Sequence, residues 1–273
     1  MIDLHTHTTA SDGRCSPDEL VARAVAARVT TLGLTDHDTI AGCAPTGAAC
    51  VSAGITFIPG IEITAVVQER DVHVLAYFFD VESPALHAFL AEQRERRIER
   101  VREMLSRLAT HDLTLDVDSV LGPGLTDRSR AVGRPWIARA LVAAGYVATV
   151  NEAFESWLTR GRPGFVPRIG ATPEQVFVKV HEAGGIASLA HPVLFGHDEL
   201  IPRYADLGLD AIEAFHPDHG SLDTTRYLHF ARELGLLVTG GSDFHGDDRH
   251  QRSGPGSVTL PKEHFERLMA ARS

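Results

Sequence analysis

No stretch of this 273-residue sequence approaches the roughly 20 apolar residues that a membrane-spanning helix needs. The chain runs straight into MIDLHTH, with neither the basic region nor the apolar core of a leader, so a soluble, unprocessed protein is expected. Cysteine is scarce. Cys15, Cys43 and Cys50 form no CxxC pair, and an odd number of them in a chain this long builds no disulfide framework, which points to reducing cytoplasm. Positive charge is short as well. With 26 Lys and Arg against 36 Asp and Glu, a formal net charge of -10, the chain lacks the dominant positive field of a general nucleic-acid coat protein or an anionic-membrane binder. Internal repeats and low-complexity tracts are absent too.

The hydrophobic residues that are present, 44% of the chain, suffice for a large core in one domain or in one domain with an insertion. Met1 to Leu4 is a short apolar run, and after a polar loop Ser16-Pro17-Asp18-Glu19 reads as a capping box with proline at the first helical position. The runs at 31–36, 56–63 and 72–79 are short, β-branched or aromatic, and bounded by Gly, Pro or Asp, so they read as strands. Those at 184–192, 209–217 and 236–245 each follow a helical pattern, one of them opened by a second capping box, Thr172-Pro173-Glu174-Gln175. Such alternation predicts βα units around a parallel sheet. Between Pro84 and Arg168 the spacing changes to three and four residues along a highly charged helix, from Leu86 and Leu90 to Leu105 and Leu108. An all-helical insertion over 84–168 is therefore expected, interrupting a body made of 1–83 and 169–273. It holds 13 arginines against 10 acidic residues, net +3, which leaves -13 for the body.

The chemistry-bearing residues cluster at strand ends. His5-Thr6-His7 follows the first strand, and an i, i+2 pair on extended chain puts both imidazoles on one side, where they can share a metal ion. After it come Asp12 in SDG, His37 between Asp36 and Asp38, Glu62 in PGIEI, His73 in DVHVLAY, His191 in LAHP, and Asp243 and His245 in GGSDFH. Barrel enzymes build their sites from the C-terminal ends of several strands, so these nine donors converge in one bowl. Carboxylates and imidazoles at that density repel one another and strand buried polar groups unless cations neutralise them. Nine donors exceed the four of a closed zinc site, so more than one ion is implied. For His73, inside an apolar run, a hydrogen-bonded core histidine is an equal reading when it is taken alone. Asp36 and Asp38 read as supports for the ligands, and His87, His111, His181, His229, His250 and His264 as ordinary surface residues.

His216 ends the LDAIEAF run and so points into the same bowl, a candidate for phosphate contact or for protonating a leaving group. In the insertion, Gly133 and Pro135 fix the backbone around Arg134 at a helix start, where a guanidinium can grip a phosphate bidentately. From the run RERRIERVRE, Arg100 and then Arg97 are the residues expected to face inward; Arg128, Arg130, Arg160 and Arg162 could supply further contacts but are not ranked.

Together HTHTTASDG, GLTDHDT, PGIEIT, LAHP and GGSDFHG resemble the PHP (polymerase and histidinol phosphatase) family, with motifs running from His5 to His245. The resemblance implies an α/β fold, a distorted (β/α)7 barrel of the PHP type, with three divalent ions per chain. His5, His7, Glu62 and Asp243 would hold one, Glu62, His73 and His191 a second, and Asp12, His37 and His245 a third. Manganese comes first among the metals, and iron or zinc fits the same donors. The helical insertion and the segment GRPWIARALVAAGY resemble the bacterial branch of 3',5'-nucleoside bisphosphate phosphatases and RNase AM, with Trp136 where histidine is expected. That branch implies removal of the 3'-phosphate from adenosine 3',5'-bisphosphate to leave AMP, and trimming of RNA from its 5' end. Arg134 and Arg100 would grip phosphate oxygens, and His216 would serve the leaving oxygen. The alternatives are a histidinol-phosphate phosphatase, an amidohydrolase acting on a ring amide, and a non-catalytic metal-binding PHP domain. A small nucleotide or an RNA 5' end is the expected partner; no membrane and no obligate protein partner is implied.

Overall fold

The short β-rich runs form a single seven-stranded sheet in a computed structural model, which describes residues 1–246 and 254–272. The strands β1 (Ile2–Asp3), β2 (Thr31–Leu34), β3 (Thr56–Val67), β4 (Arg70–Tyr77), β5 (Ile186–Leu189), β6 (Ala211–Phe215) and β7 (Leu237–Gly240) lie side by side in chain order. The sheet curls back on itself beyond its edges: the Leu4 N–H donates to the Gly240 carbonyl at 3.2 Å, and Thr6 pairs in parallel with Phe244. Closure demands close backbone approach. A Cβ on Gly241 would stand 2.3 Å from the His5 nitrogen, so only glycine lets these two chain segments meet.

The helices are α1 (Pro17–Ala26), α2 (Cys43–Ala53), α3 (Pro84–Ala109), α4 (Val117–Thr126), α5 (Arg134–Ala143), α6 (Val150–Ala153), α7 (Pro173–Glu182), α8 (Pro192–Phe195), α9 (Ile201–Asp206), α10 (Ser221–Leu234) and α11 (Lys262–Ala270). Both expected capping boxes form: Ser16 with Glu19 opens α1, and Thr172 with Gln175 opens α7. No helix among the described residues is long and apolar enough to cross a membrane.

The expectation of a uniformly parallel sheet needs correcting at β4, which runs antiparallel to both β3 and β5. No helix separates β3 from β4. They form a hairpin whose two loop residues, Gln68 and Glu69, have φ of 48° and 62°, and Val67 pairs with Arg70 across it. Two left-handed residues in a two-residue loop match the twist of the flanking strands. Neither is Gly or Asn, so the usual hairpin signal is missing from the sequence. The reversal places the first half of β4 beside the C-terminal ends of its neighbours, with His73 opposite Thr64.

The helices α3 to α6 build a second apolar cluster, from Ile98, Val101 and Met104 on α3 to Ile137 and Leu141 on α5. The first turns of α3 belong elsewhere: Leu86 and Leu90 pack into the barrel core. Packing therefore changes within α3, between Leu90 and Ile98, rather than at residue 84.

Candidate metal centre

The nine donors expected from the sequence converge at one end of the barrel. His5 and His7 lie on the extended segment after β1, fully buried, with both Nε2 atoms turned to the same carboxylates. For His5 these distances are 3.4 Å to Glu62 Oε2 and 3.2 Å to Asp243 Oδ1; for His7 they are 3.3 and 3.0 Å. Glu62, at the inward face of β3, is the hub. Its Oε2 also meets His37 Nδ1 at 3.2 Å, and its Oε1 meets His73 Nδ1 at 2.6 Å and His191 Nε2 at 3.1 Å. Asp12 stands apart, 3.3 Å from His245 Nε2 and 3.9 Å from His37 Nε2. Donor atoms gather in four groups, each mutually within 4.8 Å: His5, His7, Glu62 and Asp243; His37, Glu62 and His73; His7, Asp12, His37 and His245; and His5 with two residues outside the nine, Glu213 and His216.

These groups fit divalent ions on an observation independent of their residue types. His7 Nδ1 and Nε2, His37 Nδ1, His73 Nδ1 and Asp243 Oδ1 are buried and, despite the close approaches of imidazole to carboxylate, make no hydrogen bond of proper angle, a costly state for protein groups and the natural one for ligand atoms turned toward cations. Charge tells the same story. Burial alone would raise the carboxyls of Glu62, Asp12 and Asp243, yet the surrounding imidazoles hold all three well below the usual carboxylate range. Burial would likewise lower His7, but Asp243 and Glu62 lift it to about 10, while burial wins at His37 and takes it down to about 3. Without metal, protons on some imidazoles balance the carboxylates; cations would take over that task.

Further residues hold the donors in place. The left-handed φ of Asp38, His191 and Asp243, 49°, 25° and 49°, is uncommon away from glycine and marks loops over-determined by their surroundings. Asp36 accepts the Thr8 N–H at 2.7 Å and the hydroxyls of Thr8 and Ser11, tying the loop of Asp12 to the loop of His37. Asp3 accepts the Ser242 N–H and hydroxyl, joining β1 to the segment before Asp243. Glu213 was not singled out in the sequence. Fully buried on β6, it accepts from His5 Nδ1 at 2.9 Å through one oxygen and from the His191 N–H at 2.7 Å through the other. Burial would raise its carboxyl, but His5 beside it keeps it below the usual range. A carboxylate on the far nitrogen of a ligating imidazole fixes the ring's tautomer and orientation. The available signal was a charge at an inward-alternating position of the apolar run AIEAF.

His216 is buried, and its Nδ1 accepts the Asp218 N–H at 3.1 Å. Its proton is thereby assigned to Nε2, which faces Asp243 Oδ2 at 3.4 Å. It is absent from the residues that line the open cleft.

That cleft, about 220 Å3, is lined by seven of the nine donors and by Asp71, Arg97, Arg134 and Arg168, with Phe154 and Leu194 on its apolar side. Arg134 reaches Asp71 at 3.1 Å, and Arg168 reaches the other oxygen of Asp71 at 3.2 Å. Arg97 is buried against Asp38 and donates to Thr64 Oγ1 at 2.8 Å and to the Val132 carbonyl. Arg100, one turn nearer the helix end, donates Nε to the Val166 carbonyl and lies over the Phe165 ring. Arg130 donates to the Thr9 carbonyl, whereas Arg128 and Arg160 make exposed pairs with Glu95 and Glu69. Arg168, not singled out in the sequence as a phosphate contact, is thus beside Arg134 in the cleft. His250 lies outside the described residues.

A model of the PHP domain matches residues 3–130. The 5'-3' exoribonuclease Rnm of Escherichia coli (strain K12) is 36% identical over 250 residues, 89% of this chain and 84% of that protein. The chain belongs to the PHP family. A second PHP relative, the 3',5'-nucleoside bisphosphate phosphatase of Chromobacterium violaceum, is 33% identical over 265 residues, 95% of this chain and 92% of that protein. The crystal structure of a putative metal-dependent phosphoesterase from Bifidobacterium adolescentis superposes with a TM-score of 0.89 at 31% identity, covering 98% of this chain and 95% of that one. The seven-stranded barrel, distorted by the antiparallel β4, is accordingly a PHP barrel, and the protein is a metal-dependent phosphoesterase.

Proposed function

We propose that this enzyme hydrolyses the 3'-phosphate of nucleoside 3',5'-bisphosphates, adenosine 3',5'-bisphosphate giving AMP and phosphate. The observation that supports this is the pair Arg134 and Arg168 beside the donor cluster, since a second group of guanidinium donors suits a substrate with a second anion. Trimming of RNA from its 5' end is the same reaction at the atomic level. In both cases water attacks phosphorus, the bond to O3' breaks and O3' takes up a proton; the phosphate leaves as inorganic phosphate or stays on the O5' of the next nucleotide. Two activities that differ in the names of relatives therefore need one site.

His5, His7, Glu62 and Asp243 would hold one divalent ion, Glu62, His73 and His191 a second, and Asp12, His37 and His245 a third, manganese being the first choice. When bound, such ions neutralise the charge developing on phosphorus and activate water. The chain's own contribution is orientation. Arg134 and Arg168, bridged by the two oxygens of Asp71, would turn their remaining N–H groups to the 5'-phosphate, and Phe154 and Leu194 would face the base. His216, with its proton on Nε2, faces Asp243 Oδ2 and so steadies a ligand carboxylate beside the reacting phosphate. Arg97 of α3, Arg134 and Pro135 of α5 and Phe154 after α6 wall the cleft on the side of the helical segment.

The test is a comparison of kcat/KM for adenosine 3',5'-bisphosphate, 3'-AMP and histidinol phosphate on manganese-loaded enzyme. The bisphosphate should exceed 3'-AMP by about ten- to a hundredfold, the worth of one charge-assisted contact of roughly 1.5–3 kcal/mol. Equal rates on the two nucleotides, or preference for histidinol phosphate, would overturn the assignment.

A further inference from the structure

A second cavity, of about 500 Å3, lies against the loop that carries Asp12. Ser11 and Gly13 line it, whereas Asp12 between them lines the metal cleft, so alternate residues of one loop face two neighbouring recesses. The opposite wall comes from α4 and α5. Arg14, Arg130, Arg139 and Trp136 contribute the functional groups, and no acidic side chain is among the described residues lining the cavity.

Trp136 is rigidly presented. Its Nε1–H donates to the Ser11 carbonyl at 3.1 Å, and the Arg130 guanidinium lies over its ring at 5.3 Å, itself anchored by a 3.0 Å hydrogen bond from Nε to the Thr9 carbonyl. The hydrogen-bond anchor of Arg130 is a peptide carbonyl, which leaves its charge in place, and Asp127, which acts on it electrostatically, is not among the residues lining the cavity. Arg14, exposed at the rim, adds a second cation. Stacked planar groups beside cations are what single-stranded nucleic acid uses: bases stack on aromatic rings or guanidinium planes, and phosphates pair with arginine.

We propose that this cavity binds the second nucleotide of an RNA strand whose first nucleotide occupies the metal cleft. The inference rests on the P–O3' hydrolysis proposed above. A mononucleoside bisphosphate ends at the scissile phosphate and does not reach past the Asp12 loop; an RNA strand continues from that phosphate through O5' into the next sugar, base and phosphate. The next base lies on the Arg130–Trp136 platform, and its phosphate meets Arg14.

Arg14→Ala tests this without touching the braces of the Asp12 loop, because the contact of residue 14 to His245 is made by its backbone N–H, which alanine keeps. Ser119→Glu, at an exposed position on α4, places a negative charge in the same cavity by an unrelated route. Metal-loaded wild type and both variants are assayed on adenosine 3',5'-bisphosphate and on a 5'-phosphorylated ribopentanucleotide. Each variant should lose about tenfold in kcat/KM on the pentanucleotide, mostly through KM, and stay within about twofold of wild type on the bisphosphate. In Arg14→Ala, the salt dependence of the pentanucleotide KM should flatten by about one phosphate's worth. If wild type cleaves both substrates and the variants match it on both, or lose equally on both, the subsite is wrong while the hydrolysis stands. If wild type cleaves neither, the hydrolysis reading fails and the subsite with it.

Discussion

Glu213→Gln changes one oxygen for an NH2 group in a fully buried site, and the structure says what that does. The two carboxylate oxygens each take a different donor, His5 Nδ1–H and the His191 N–H. Glutamine has one acceptor oxygen, so whichever way it turns, its NH2 group faces a donor. One buried N–H then loses its partner, at a cost of about 1–3 kcal/mol. His5 also loses the charge that orients it and raises its basicity. Losing such a partner typically weakens metal affinity ten- to a hundredfold, about 1.4–2.8 kcal/mol. The assay is competition with a chromophoric chelator, paired with phosphate release at rising metal concentration. The variant should need ten- to a hundredfold more metal for half-occupancy and approach wild-type kcat at saturation. Normal affinity with lost turnover would refute the positioning role, because it would place Glu213 in the chemistry itself.

Arg134→Ala should lower kcat/KM on adenosine 3',5'-bisphosphate by about ten- to a hundredfold with metal content unchanged, and Arg134→Lys should recover part of it, since an ammonium keeps the charge but loses the planar fork. Kinetics alongside elemental analysis checks both. Arg97→Ala removes the principal guanidinium partner of buried Asp38, and breaking a buried pair from one side costs about 3–5 kcal/mol, read as a lower urea midpoint at unchanged slope. Burial raises all three cysteine thiols, Cys43 to about 12 and Cys50 to about 11. Since the thiolate is the reactive form, the native protein at pH 8 should react slowly with a disulfide reagent, and denaturation without reductant should release all three; a pair that stays blocked would contradict their being free.

Much of the site was legible because polar donors at the ends of apolar runs have few ordinary explanations. His5, His7, Asp243 and His245 come from such ends, and the structure groups them with Asp12, His37, Glu62 and His73, with His191 joined through Glu62. What escaped is set by tertiary geometry. The direction of β4 depends on a Gln68-Glu69 turn that carries no glycine, and only that direction explains how His73, inside a strand, reaches Glu62. The run RERRIERVRE offers several arginines to the cleft, and the choice falls to carboxylates distant in sequence: Asp38 claims Arg97, while Arg100 turns to the Val166 carbonyl. The left-handed turns at His191 and Asp243 leave only a weak trace in residue type, since Asp and His adopt positive φ more readily than most side chains but do so at few positions.

The central claim is that turnover depends on several ions held by this cluster, and it is tested most directly by counting metal and phosphate release on the same samples. Purified protein, protein stripped by chelator, stripped protein reloaded with manganese, and the reloaded His7→Ala and Asp243→Ala variants are compared by elemental analysis and by release from adenosine 3',5'-bisphosphate. Two to three ions per chain should accompany activity, stripping should abolish it, reloading should restore it, and both variants should lose metal and turnover together. Full activity in the stripped protein, or unchanged turnover in Asp243→Ala, would contradict the account.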